Sequence, residues 1–107
     1  SSSKRYKTDI TEALPNELNP QKLYELPIKS YKYKEDYLSK DDVRFGQDII
    51  GFIAEDVADI YECAVQYKDG EPEMWNSNVM IPAMLKLIQE QNKRIKTLEE
   101  KAGVTNE

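Results

Sequence analysis

Ser2 and Lys7 stand five residues apart in a chain that contains no histidine. A serine hydroxyl becomes a useful nucleophile when a base takes its proton, and lysine can be that base. Without histidine, a Ser-His-Asp or Cys-His arrangement within this chain is excluded, and so is a histidine-ligated metal. Ser1 and Ser3 flank Ser2, and Lys4 and Arg5 add positive charge nearby. To act as a base the lysine must be neutral. At the ordinary lysine pKa near 10.4, roughly one side chain in 2,500 is neutral at pH 7. Burial and neighbouring positive charge both raise that fraction. Spacing alone carries little weight, because a serine- and lysine-containing stretch is more often a solvated tail.

Positioning these groups requires a folded body, and the chain offers short elements for one. Pro15 and Pro20 interrupt the region after residue 10, and residues 21–26 read as a short helix that stops before Pro27. Residues 28–34 alternate apolar and polar and predict a strand, with Ile28 and the tyrosines Tyr31 and Tyr33 on one side and the lysines on the other. A charged loop over 35–48 follows, then a brief apolar run, 49–53, that predicts a buried strand. Residues 54–60 predict a short helix whose early acids, Glu55 and Asp56, suit the positive end of the helix dipole. Asp69-Gly70 is a two-residue hairpin signal between strands at 64–68 and 71–76, and Pro72 makes the second strand an edge.

From Asn78 onward the period changes. Ile81, Met84, Ile88, Gln91, Ile95, Leu98 and Ala102 alternate at three- and four-residue spacing, a heptad seam. Pro82 fits a first helical turn and Gly103 a helix stop. Leu85 and Leu87 widen the stripe at its start, as packing on the chain's own core requires. After Ile88 the stripe narrows, which suits a seam between identical helices. Isoleucine at successive a-type positions leans toward trimers, and Gln91 at a d-type position fixes register. The expected fold is therefore α+β: a small mixed domain over residues 1–78, then a coiled-coil helix over 79–107 that forms a homotrimer.

Composition narrows the function classes. The 107 residues carry a net charge of −5, which argues against non-specific nucleic-acid binding. A single cysteine, Cys63, rules out an internal disulfide. No apolar run is long enough to span a membrane, and no cofactor is implied. Asp41, Asp42 and Asp48 do not have the spacing of a calcium loop, so no metal site is expected.

Several segments together resemble one family. Residues 2–10, running from Ser2 through Lys7 to Ile10, are similar to the opening of the phage intramolecular chaperones, the peptidase S74 family. Leu26 to Lys34 resembles its Leu-x-Pro-like segment and aromatic strand, and Gly51 to Val57 its central motif. Asp69-Gly70, Trp75-Asn76 and the closing helix resemble its hairpin and terminal coiled coil. The resemblance implies a homotrimeric module at the C-terminus of a phage tail fibre, tailspike or appendage. Such a module promotes trimer folding of the upstream fibre domain of the same chain, then cuts itself free at its N-terminal boundary. It is a single-turnover peptidase with no external substrate, made in the host cytoplasm as part of a virion tail precursor. Ser2 takes the nucleophile's place and Lys7 the base's. The sequence starts one residue before Ser2, so Ser1, at six-residue spacing, stays open as the alternative nucleophile. Some members carry a histidine in the domain body; here histidine cannot be essential. Two other functions compete: a trimerisation module without chemistry, and a carbohydrate-binding fibre tip built on Trp75 and the tyrosines.

Overall fold

A computed structural model describes residues 2–103. Three 3₁₀ segments come first, at Lys4–Tyr6, Asn16–Leu18 and Pro20–Glu25. Strands β1 (Lys29–Tyr31) and β2 (Ile49–Gly51), helix α1 (Ala54–Ile60) and a 3₁₀ turn (Glu62–Ala64) follow. Strands β3 (Val65–Lys68) and β4 (Glu71–Trp75) then lead into the long helix α2 (Ser77–Lys101). This is the expected α+β mixture, with two separate two-stranded antiparallel sheets, β1-β2 and β3-β4.

The hairpin forms where Asp69-Gly70 predicts it. Both residues adopt positive φ, 52° and 79°, as the tight turn requires. Pairing shifts by one residue between Gln66 and Tyr67, so Tyr67 faces Pro72 and Glu73 is the extra residue of a bulge. The strand at 49–53 is shorter and less buried than expected: β2 ends at Gly51 and Ile50 is 77% exposed. A two-stranded ribbon covers only one of its faces, so one side of an apolar run stays wet.

The face assignment in the 28–34 segment is corrected. Ile28 is 73% exposed, whereas Tyr31 and Tyr33 are half-buried. Ile28 lies an odd number of residues from each tyrosine, so a period-two strand puts it on the opposite face. Tyr33 lies beyond the end of β1, where its ring meets Tyr31 edge-on at 5.6 Å and stacks on Tyr37 at 5.5 Å.

Val57 (0% exposed), Tyr61 (1%) and Met80 (0%) anchor the core, with Leu18, Ile60, Ala64, Val65 and Ala83 buried around them. Burying side chains of this size is worth roughly 1.5–3 kcal/mol each. Tyr61 adds a polar tie. Its hydroxyl donates to the Asn19 carbonyl at 2.6 Å, while Asn19 Oδ1 accepts from the Gln21 amide at 3.0 Å and caps the Pro20–Glu25 helix. Burial is the larger cause, and Cys63 the smaller, that raises the Tyr61 phenol above its ordinary pKa.

Helix α2 starts earlier than Pro82 suggests. Asn76 caps it by accepting from the Asn78 amide at 2.9 Å, and its own amide donates to Ala64 at 2.7 Å. Pro82 is therefore the sixth helical residue, inside the helix rather than in its first turn. Met80 and Ala83 face the core from the opening turns. At the other end Gly103, with φ of 75°, donates to the Glu100 carbonyl and stops the helix as expected. The radius of gyration is 18.8 Å, against about 13 Å for a compact chain of this length. The excess fits a 25-residue helix of about 37 Å that is buried only near its start.

Candidate functional site

Five residues of extended chain span roughly 17 Å, too far for a lysine to reach back. The Lys4–Tyr6 3₁₀ turn closes that gap. The Tyr6 amide donates to the Ser3 carbonyl at 3.2 Å and the Lys7 amide to the Lys4 carbonyl at 3.1 Å. With the chain folded back, Lys7 Nζ donates to the Ser2 carbonyl oxygen at 3.1 Å. The structure thus brings the predicted base onto the backbone of the predicted nucleophile. Ser1 lies outside the described residues, as do residues 104–107 of the predicted coiled-coil segment.

Ser3, expected only to flank Ser2, and Arg5, expected only to add charge, also shape the turn. Ser3 Oγ accepts from the Arg5 backbone amide and from its guanidinium, each at 3.4 Å, and so caps the turn. Arg5 then lies over the Tyr6 ring, 4.5 Å from its centroid. A serine just before a short turn was the available signal. Ser2 and Lys7 are both exposed in the single chain.

The heptad positions divide into two groups. Ile81, Ile88, Ile95 and Leu98 are exposed apolar residues, and Leu85 joins them. Met84 instead packs on the core, and Gln91 Nε2 donates to the Tyr24 hydroxyl at 2.5 Å. Beside that bond Glu90 accepts from Gln21 Nε2 at 3.4 Å, so the Pro20–Glu25 helix braces the middle of α2.

A groove of about 330 Å³ is lined by Tyr31, Tyr33, Tyr37, Arg44, Phe52 and Trp75, among others. Trp75 meets Phe52 edge-on at 5.2 Å and is half-buried, which is packing rather than a free platform for a sugar ring. Burial first, and then Tyr33, raise the Tyr31 phenol. Asp42 accepts from Arg44 at 2.8 and 3.0 Å and from the Arg44 amide at 2.9 Å, which holds its carboxyl down at about 2. Asp48 lies 3.7 Å from Lys32. Among the described residues no cluster of acidic or cysteine side chains could hold a metal. Nor is any helix among them long and apolar enough to cross a membrane.

Comparison with protein families places the chain. The model of the peptidase S74 family, described as the chaperone of endosialidase, matches residues 2–66, more than half of the sequence. The chain belongs to that family. The match begins at Ser2, takes in Lys7, β1, β2 and α1, and ends within β3, so β4 and α2 lie outside it. Comparison with curated proteins and with solved structures returned no match.

Proposed function

We propose that this domain is the C-terminal intramolecular chaperone of a phage tail fibre, tailspike or appendage, released by its own cut before Ser2. Residues 1–78 form the chaperone body with the cleavage segment. Residues 79–107 form the coiled-coil helix, whose first turns also serve the core. Three copies join along the seam of Ile81, Met84, Ile88, Gln91, Ile95 and Leu98. In it Ile81, Ile88, Ile95 and Leu98 offer the exposed apolar surface, and Met84 and Gln91 also hold contacts within their own chain. While chaperone and fibre are one chain, that union raises the effective concentration of three fibre strands. The setting is a virion tail precursor made in the host cytoplasm.

The cut follows from the chemistry of the pair. Ser2 Oγ attacks the carbonyl carbon of residue 1 as neutral Lys7 takes the hydroxyl proton. The carbon–nitrogen bond breaks, and the proton passes from Lys7 to the departing Ser2 nitrogen. An ester joins residue 1 to Ser2 Oγ. Water hydrolyses it, leaving a carboxylate upstream and a free hydroxyl on Ser2. Assembly that shields Lys7 from water favours its neutral form, so cutting follows trimer formation. After the cut, the fibre cannot unfold by reversing its folding path, and its persistence is kinetic.

The Lys7 Nζ contact with Ser2, in a chain of this family, is the observation that carries this reading. A Lys7→Ala precursor is expected to stay full length and still trimerise; normal cutting would remove Lys7 from the mechanism. The exposure of Ser2 and Lys7 in the single chain favours a second reading, a trimerisation module without chemistry. A wild-type precursor that trimerises and stays whole would support it.

A further inference from the structure

The cleavage segment is held together from within. Among the described residues, the hydrogen bonds of Ser2 to Lys7 all close inside that stretch. Among the described residues no hydrogen bond or ion pair ties Lys7 to the core, so the turn is what returns it to Ser2. The Lys4–Tyr6 turn is only three residues long, and a single turn of helix is costly to nucleate. Its one side-chain cap is Ser3 Oγ, which accepts from the Arg5 amide and the Arg5 guanidinium.

We propose that Ser3 is a positioning residue for the Ser2 and Lys7 pair: its hydroxyl caps the turn that returns the Lys7 amine to Ser2. The proposal rests on the reading that Ser2 and Lys7 carry the cut. Ser3 neither attacks nor moves a proton. It raises the fraction of chains in which the turn is formed, and the rate of cutting scales with that fraction.

The test compares cutting rates of full precursor carrying wild-type sequence, Ser2→Ala, Ser3→Ala or Ser3→Asn. Asparagine caps as well as serine and adds no charge beside Lys7. Ser3→Ala is expected to slow cutting about fivefold, the size of a lost cap. Ser3→Asn is expected to restore the rate to within about twofold, because it rebuilds the acceptor. Trimer yield should be equal in all four. Wild-type speed for Ser3→Ala overturns the role of Ser3 and leaves the Ser2 mechanism standing. Loss of cutting in both Ser3 variants also overturns the positioning role, and if Ser2→Ala still cuts it makes Ser3 the reacting hydroxyl and defeats the Ser2 mechanism as well. Cutting by Ser2→Ala with both Ser3 variants near wild type defeats the underlying mechanism instead.

Discussion

Lys7 Nζ donates to the carbonyl oxygen of Ser2, 3.1 Å away, so the candidate base rests on the backbone of the candidate nucleophile. A guanidinium could keep both the charge and this hydrogen bond. Arginine stays protonated, however, and cannot take a hydroxyl proton. Lys7→Arg is therefore expected to fold and trimerise but lose at least about a hundredfold in cutting rate, the scale of a lost general base. Electrophoresis of precursor over time checks this. A near wild-type rate would reduce Lys7 to an electrostatic role.

Core packing predicts a stability effect outside residues 2–7. Met80 is fully buried at the start of α2, beside Val57 and Tyr61. Met80→Ala should destabilise the domain by ~2–5 kcal/mol, read by urea denaturation at fixed protein concentration. A cost under about 0.5 kcal/mol, as at a typical surface site, would show that the site collapses freely or is not core.

Exposed apolar residues in two places separate assembly from solvation. Ile88 is 60% exposed on α2, and Val43 is 90% exposed in the loop after β1. A lysine at either position costs little in a lone chain. At a trimer seam it would bury unpaired charge. Ile88→Lys should therefore sediment as a monomer and leave precursor uncut, while Val43→Lys stays trimeric and cuts normally. Trimeric Ile88→Lys would move the interface elsewhere.

Arg44 governs the Asp42 carboxyl. Hydrogen bonds from Arg44 hold it at about 2, below the ordinary value near 3.8. Since the folded value is the lower one, any stability gained is present in full above the unfolded value and is lost as pH falls through about 2. Carboxyl NMR titration should find Asp42 near 2, and Arg44→Ala should return it toward the ordinary range. An unchanged titration in that variant would assign the shift to another cause.

Local chemistry made part of this fold legible from sequence. The Asp-Gly turn, the helix at Ala54–Ile60 and the Gly103 stop each depend on residues adjacent in the chain. Phase and tertiary cover were harder to see. In the 28–34 segment Ile28 is out of phase with Tyr31 and Tyr33, and the cover on the tyrosine face comes from Tyr37 and Arg44, which meet Tyr33 from the loop. Asn76 drew the start of α2 to Ser77, ahead of the expected residue 79, so Pro82 lies beyond the first turn while Met80 packs into the core. In residues 2–7 the Ser2 to Lys7 spacing was visible, while the Ser3 cap on the turn between them was not.

The central claim is that this chain cuts itself immediately before Ser2. Intact-mass spectrometry of the product from precursor expressed with its upstream fibre segment measures that bond directly. The account predicts a C-terminal fragment beginning at Ser2 and full-length protein only when Ser2→Ala is introduced. Trimeric wild-type precursor that remains whole, or a Ser2→Ala variant cut at the same bond, would contradict it.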